Sequence, residues 1–281
     1  VSQVILTEQY NQSASGPFEA VLRIEPSSRI DVVDVRGQLV RRFGSSFTRH
    51  PKALYISDHT TAGYLDQRFA ERLNHDGDNV QEYLRVFHQL FPPNAGYVHD
   101  ELHLRTELSE EQRATEPKNA DSHLTFMGAG LKNCVSYEQR GSDPVWFVDL
   151  DGVHDAGTRC RRTTVVGYGG EAEVARTAIE VEASPHAIDA RNLQDPALGF
   201  MDRLRDLARA HGVTYGRLDV ALAPDERHAG LTVNEYETLL MTHDLREVLA
   251  NPLRFMAERG RNALRDPRAI PTKTINYAQF D

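Results

Sequence analysis

Apolar and polar residues alternate along FEAVLRIE (18–25), which is the period of a half-buried strand. In IDVVDVRGQLVRRF (30–43), apolar residues recur at helical spacing behind Asp31, which is placed to cap a helix. KALYISD (52–58) predicts a second strand, running into His59-Thr60-Thr61-Ala62-Gly63. VQEYLRVFHQLFP puts Tyr83, Leu84, Phe87, Leu90 and Phe91 on one helical face, and Pro92-Pro93 ends that helix. Residues 92–119 are polar, charged and without apolar period; a stretch of that length inside a domain is functional or mobile. SHLTFMGAGLKNCVSY, PVWFVDLDG and TTVVGYGG then read as strands, the middle one apolar enough to be central.

From Glu171 the pattern restarts. ARTAIEVEAS predicts a strand and GFMDRLRDLARAHG a helix closed by Gly212. GRLDVALAP and GLTVNEYETLLM predict strands, and HDLREVLANPLRFMAERGRNAL a helix interrupted near Pro252. The order of strand, helix, strand, turn, strand, helix thus occurs twice, and LRIEPSSRIDV aligns with IEVEASPHAIDA. ALYISDHTTAGYLDQR likewise aligns with DVALAPDERHAGLTVNE, which sets His59 opposite Glu226 and Ala62-Gly63 opposite Ala229-Gly230. Residues 1–171 form one predicted domain and 172–281 a degenerate partial repeat of its first half packed on it; chance similarity is the competing reading.

A chain of 281 residues with 40% hydrophobic and 26% charged residues can bury a substantial core. The net charge of −9 argues against nucleic acid or an anionic membrane as partner. The basic run RCRR (159–162) is a solvated turn or a phosphate grip, with Arg161 the candidate contact. Cys134 and Cys160 have no CxxC spacing, so neither a disulfide framework nor a cysteine zinc site is predicted, and both thiols are expected reduced and at least partly buried. No apolar run spans a membrane and no leader pattern is visible, so the expectation is a cytoplasmic protein.

DHTTAGYL, YVHDE, NADSHLTFMGAG, VDLDG and RRTTVVGYGGE, in this order, resemble the YjbQ-like family, over about residues 18–171. That family is named for a member linked to a secondary thiamine-phosphate synthase activity, a transfer joining a pyrimidine diphosphate to a thiazole phosphate. The resemblance implies an α+β fold with a β-sandwich-type core and packed helices, assembled as a trimer with pockets between subunits. Two positions depart from the family. Gln67-Arg68 stand where an Asn-Glu pair is usual, and RGSDPVWF replaces a Gly-Thr-Trp-Gln stretch. An Asn-Glu pair occurs instead as Asn234-Glu235, at the matching point of the second copy. The predicted site is therefore split, with HTTAG as one half and LTVNEY as the other.

His59, His99 and His123 are the natural constellation within that resemblance. Three imidazoles with an open position suit a catalytic divalent metal such as zinc, with Asp58, Asp100 and Asp121 as supporting acceptors. Each histidine alone is equally a side chain that hydrogen-bonds the backbone. His59, Asp100 and His123 are the catalytic candidates, Asp100 as an acid or base if burial perturbs it. Thr60 and Thr61 offer hydroxyls around a small-residue turn that suits phosphate or carboxylate, or that caps its own backbone. Asn234, Glu235 and Arg161 complete the substrate-binding candidates. The expected function is a divergent YjbQ-like enzyme, a transferase, lyase or hydrolase, acting on a small anionic, phosphorylated metabolite. The alternative is a non-catalytic protein that binds or senses a small anion. A truncated repeat leaves a sheet edge to cover, so a homo-oligomer is expected, a trimer before a dimer.

Overall fold

The alternation in residues 18–25 becomes strand β2 (Phe18–Glu25), whose Phe18, Ala20, Leu22 and Ile24 are all buried in one apolar cluster. In the computed structural model the described residues are 3–12, 16–105, 108–154, 157–182 and 191–213, with 216, 218–227, 229, 244, 248, 250 and 251 beyond them. β1 (Gln3–Gln12) pairs antiparallel with β2. The chain continues through β3 (Asp31–Asp34), α1 (Val35–Phe43), α2 (Ser45–Thr48), β4 (Lys52–Ser57), β5 (Ala62–Tyr64), α3 (Gln67–Arg72) and α4 (Gly77–Leu90). Two single 3₁₀ turns, Val98–Asp100 and Leu102–Leu104, precede α5 (Glu110–Thr115), α6 (Ala120–Gly128), β6 (Cys134–Glu138) and β7 (Trp146–Asp149). The short pair β8 (Val153–His154) and β9 (Gly157–Thr158) leads into β10 (Arg161–Tyr168).

The strands form two principal antiparallel sheets, in the orders β1-β2-β10-β4-β6 and β3-β7-β5. Inward residues of both meet in one core, which includes Leu22, Tyr55 and Val165 from the larger sheet and Val33, Tyr64 and Phe147 from the smaller. Tyr64 packs edge-on against Phe147 at 5.3 Å and its hydroxyl meets Thr163 Oγ1 at 2.5 Å, which ties the sheets together. The far side of the smaller sheet carries a second apolar cluster, where Val148 and Leu150 meet Val80 and Leu84 of α4. β7 is therefore buried on both faces, as its continuous apolar sequence requires. The fold is α+β, a sandwich-type core with helices against one side.

Several expectations change in detail. Asp31 opens β3 and accepts from Ser27 N–H at 2.7 Å; the α1 cap is Asp34, which accepts from Gly37 N–H at 2.8 Å. Residues 122–128 are helical in α6, where the sequence predicted a strand. Ser122, His123, Leu124 and Thr125 are all buried there, and a helix buried on most sides lacks the period that separates it from a strand. The polar stretch before it contains α5, closed by a capping box of Ser109 and Gln112. Both cysteines are exposed, against the expectation of burial.

The chain divides into two compact units, Val1–Gly169 with Leu240–Asp281, and Gly170–Leu239. In the second unit the predicted helix is present as α7 (Phe200–Ala210), entered through the left-handed Gly199. Residues 171–182 and 218–227 carry neither helix nor strand, where the sequence predicted strands. Among the described residues no helix is long and apolar enough to cross a membrane.

Candidate functional site

The β4–β5 turn is held by a hydrogen bond of its own and by the side chain of Asn133, just before β6. Ser57 Oγ donates to Ala62 O at 2.6 Å, and the Asn133 amide donates to the carbonyls of Ser57 and His59. Gly63 is required by space: a Cβ there would lie 2.5 Å from the Lys132 carbonyl oxygen, where β5 bridges to Lys132. The small residues after His59 thus serve the turn, and the turn sets His59 over the first residues of β10. His59 Nε2 accepts from Arg162 N–H at 2.8 Å.

β10 points Arg161 inward, into the mouth between the two sheets. A guanidinium buried to 3% exposure must be paired, and its partner is Asp149 at the end of β7. Arg161 Nε and Nη2 donate to the two Asp149 oxygens at 2.7 Å each. Nη2 also reaches Thr61 Oγ1 at 3.2 Å and Asp151 O at 2.9 Å. Asp151, itself buried, accepts from Asn119 Nδ2 at 2.8 Å and pairs with Arg159 at 3.2 Å. One network therefore joins the HTT turn, both sheets and the start of α6.

The start of α6 joins that network to His99. Asp100 Oδ1 accepts from Ala120 N–H at 3.0 Å and lies 3.1 Å from His99 Nδ1. Arg105 Nη1 stands 3.2 Å from His99 Nε2. A guanidinium only donates, so His99 Nε2 accepts and its ring hydrogen sits on Nδ1, toward Asp100. The His99 and His123 rings lie 4.9 Å apart. Asp121 holds Arg29 through both oxygens, at 2.8 and 2.9 Å, and His88 stands 3.9 Å away.

Burial lowers His123 well below the usual imidazole range, with His99, Arg105, Arg159 and Arg161 adding to the fall. His59 is lowered by burial, then by Arg161 and more weakly by Arg159, against Asp149 and Asp58. Arg159 and Arg161 thus contribute to the lowering at both rings. Burial pushes Asp121 up to about 6 against the pull of Arg29, with Asp100 and Asp151 adding to the rise. His88 is pushed down to about 4 by burial and by Arg29, so its approach to Asp121 is no ion pair at neutral pH.

The donor set does not fit the three-imidazole metal centre expected of His59, His99 and His123. The Nε2 lone pairs of His59 and His99 are spent on Arg162 N–H and Arg105, and a neutral ring has only one lone pair to give. Among the described residues no group of three or more His, Cys, Asp or Glu side chains is arranged to hold a metal ion.

Of the sequence candidates, His59, Thr61 and Arg161 share one connected group, and Asp100, His99 and His123 another, linked through Asn119-Ala120. Thr60 sits in the same turn, half-buried. Asn234, Glu235 and the turn opposite His59 beyond Ala229 lie outside the described residues. Sequence reasoning missed Arg29, Arg105, Asn119, Asp149, Asp151 and Arg159 as members of the cluster. VDLDG and RCRR contain three of them, but as separate motifs: β7 and β10 lie in different sheets, and neither stretch marks the other as its partner.

No protein-family model matches the chain, and no curated protein matches it. Among solved structures it is similar to a YbjQ-like protein of unknown function from Sulfolobus solfataricus P2, at 15% identity over 55% of this chain and 99% of that one, with a TM-score of 0.36. A hypothetical protein from Aeropyrum pernix K1 is similar at 17% identity over 54% of this chain and 98% of that one, with a TM-score of 0.35. An uncharacterized conserved protein of the yjbq/upf0047 family from Clostridium acetobutylicum is similar at 17% identity over 52% and 96%, with a TM-score of 0.34. The third bears the name of the family that the sequence motifs resemble. Likeness of this size says nothing about activity.

Proposed function

We propose that this chain is a divergent YjbQ-like enzyme acting on a small anionic, phosphorylated metabolite at the buried His–Arg–Asp cluster. The observation that carries the reading is that the HTT turn, the buried Arg161–Asp149 pair and the Asp151–Arg159 pair form one connected network at the start of β10, with His59 seated on Arg162 N–H beside it. A phosphoryl oxygen brought there meets positive charge fixed before binding. His123, held neutral by its burial, is the imidazole that takes a proton from a reacting group, while His59, whose Nε2 accepts from Arg162 N–H, orients the turn beside it. Arg159 and Arg29, with side chains 31% and 35% exposed, are the guanidinium groups that meet a ligand from solvent. Arg161 acts from beneath, holding Thr61 and the sheet mouth in place. His99, with both nitrogens engaged, orients its neighbours and exchanges no proton in this arrangement.

The second reading, a non-catalytic small-anion sensor, is favoured by one feature: Arg29, Arg105, Arg159 and Arg161 each already face a carboxylate. Such a set can bind an anion by exchanging partners, without turnover. Thermal-shift measurements with inorganic phosphate, pyrophosphate and a panel of phosphorylated metabolites test the shared claim. At least one anion is expected to raise the Tm of the wild-type protein, and His59→Asn to remove that rise while folding normally. A flat response to every anion contradicts both readings. ³¹P spectra of the stabilising compound, incubated with the protein, then separate enzyme from sensor.

A further inference from the structure

The 3₁₀ turn Val98–Asp100 that carries His99 begins at Tyr97, whose side chain makes no capping hydrogen bond. The first N–H groups of any such turn are unsatisfied from within and, when buried, need an acceptor from elsewhere. Here the acceptor comes from far along the chain. Asp244 Oδ1 accepts from Val98 N–H at 2.8 Å and Asp244 Oδ2 from His99 N–H at 3.1 Å. Asp244 is 1% exposed, so this is a buried carboxylate spread over two amides. It also lies within electrostatic reach of the Tyr97 hydroxyl, together with Asp100 and Asp121 of the cluster.

A second contact comes from Val248, four residues along and, like Asp244, helical. Val248, 3% exposed, belongs to the apolar cluster of Phe91, Ala95, Tyr97, Ala120 and Leu124. That cluster seats the residue before the His99 turn and the two α6 positions that flank Asp121-Ser122-His123. One polar and one apolar anchor thus grip the two segments that bear His99 and His123.

The structure assigns Asp244 the role of a positioning residue: with Val248 it clamps the His99 turn against α6, so that a segment far outside the motif-bearing region completes the site. In functional terms the role rests on the cluster being the binding site proposed above; the clamp itself is a matter of geometry. It fixes the direction of the His99 ring, and through it the Asp100 carboxylate that holds Ala120 N–H. An asparagine at 244 keeps one acceptor oxygen but turns an NH₂ group toward the second amide, so one of the two bonds must fail.

Hydrogen exchange on the full-length chain, read by mass spectrometry at the peptide containing Val98 and His99, tests the clamp. In the wild-type protein these two amides are expected to exchange with the slow, core-like class. In Asp244→Asn they should exchange at least tenfold faster, while peptides from β4 and β10 keep their rates. Val33→Ala, a loss of packing in the other core, serves as the control and should leave the Val98–His99 peptide no faster than its neighbours. Long-range ¹H–¹⁵N spectra of histidine-labelled protein should show His99 as the Nδ1–H tautomer in wild type and a mixture in Asp244→Asn. Wild-type Val98 and His99 amides that exchange like exposed loop amides overturn the clamp, as do unchanged exchange and tautomer in Asp244→Asn. Pyrophosphate titration of the same samples keeps the two claims apart. No binding by wild type overturns the proposed function, and the exchange data still decide the clamp; binding that Asp244→Asn weakens at least fivefold supports both.

Discussion

Arg161 and Asp121 illustrate two ways a buried charge is carried in this protein. Arg161 and Asp149 are 3% and 1% exposed and share a two-point contact, so the cost of taking both ions from water is offset only while both remain. Arg161→Ala is therefore expected to destabilise the protein by about 3–5 kcal/mol, the range for a buried ion left alone, as read by chemical denaturation. Asp121 carries its charge at a net cost, since its pKa rises from 3.8 to about 6 in the folded protein. The folded state then binds more protons than the unfolded state between those values. This contribution to stability is full below about pH 4 and is lost as pH rises through 6, on the order of 3 kcal/mol in total. Asp121→Asn should flatten the stability–pH curve across that window while keeping an oxygen for Arg29. Denaturation midpoints at pH 4, 5, 6 and 7 check it; an unchanged slope in the variant contradicts the assignment.

At the scale of elements, the turn after β4 is as much a packing device as a chemical one. Gly63→Ala places a methyl group 2.5 Å from a backbone carbonyl that the Tyr64–Lys132 bridge holds in position. Overpacking of this kind costs roughly 1–3 kcal/mol, so the Tm should fall by several degrees in calorimetry, and an unchanged Tm would mean that the β5 bridge is loose. The HTTAG pattern was legible in sequence because it breaks a clear strand period, and α4 because its apolar face repeats cleanly at helical spacing. α6 was not legible. Its residues from Asp121 to Thr125 are buried whatever their polarity, so the pattern carries no face, and only tertiary partners such as Arg29 and Leu150 O decide its form. Asp149 and Asp151 were visible as a motif but not as partners of Arg161 and Arg159, because pairing across a sandwich is set by topology and leaves no mark in local sequence.

At the scale of the molecule, the compact unit that holds the cluster draws on Val1–Gly169 and on Leu240–Asp281, a division that no composition change announces. β6 pairs with β4 alone among the described strands and leaves an edge of the larger sheet to be covered. A homo-oligomer is the expected state, a trimer first, and light scattering at micromolar concentration checks it; a monomer there contradicts it. The central claim, that the His–Arg–Asp cluster is an anion site, is tested most directly by calorimetric titration of inorganic pyrophosphate into wild-type protein and into Arg159→Gln. The account predicts saturable binding by the wild type at one site per chain, weakened tenfold or more, about 1.4 kcal/mol, in the variant. Absence of saturable binding, or equal affinity in the two proteins, would contradict it.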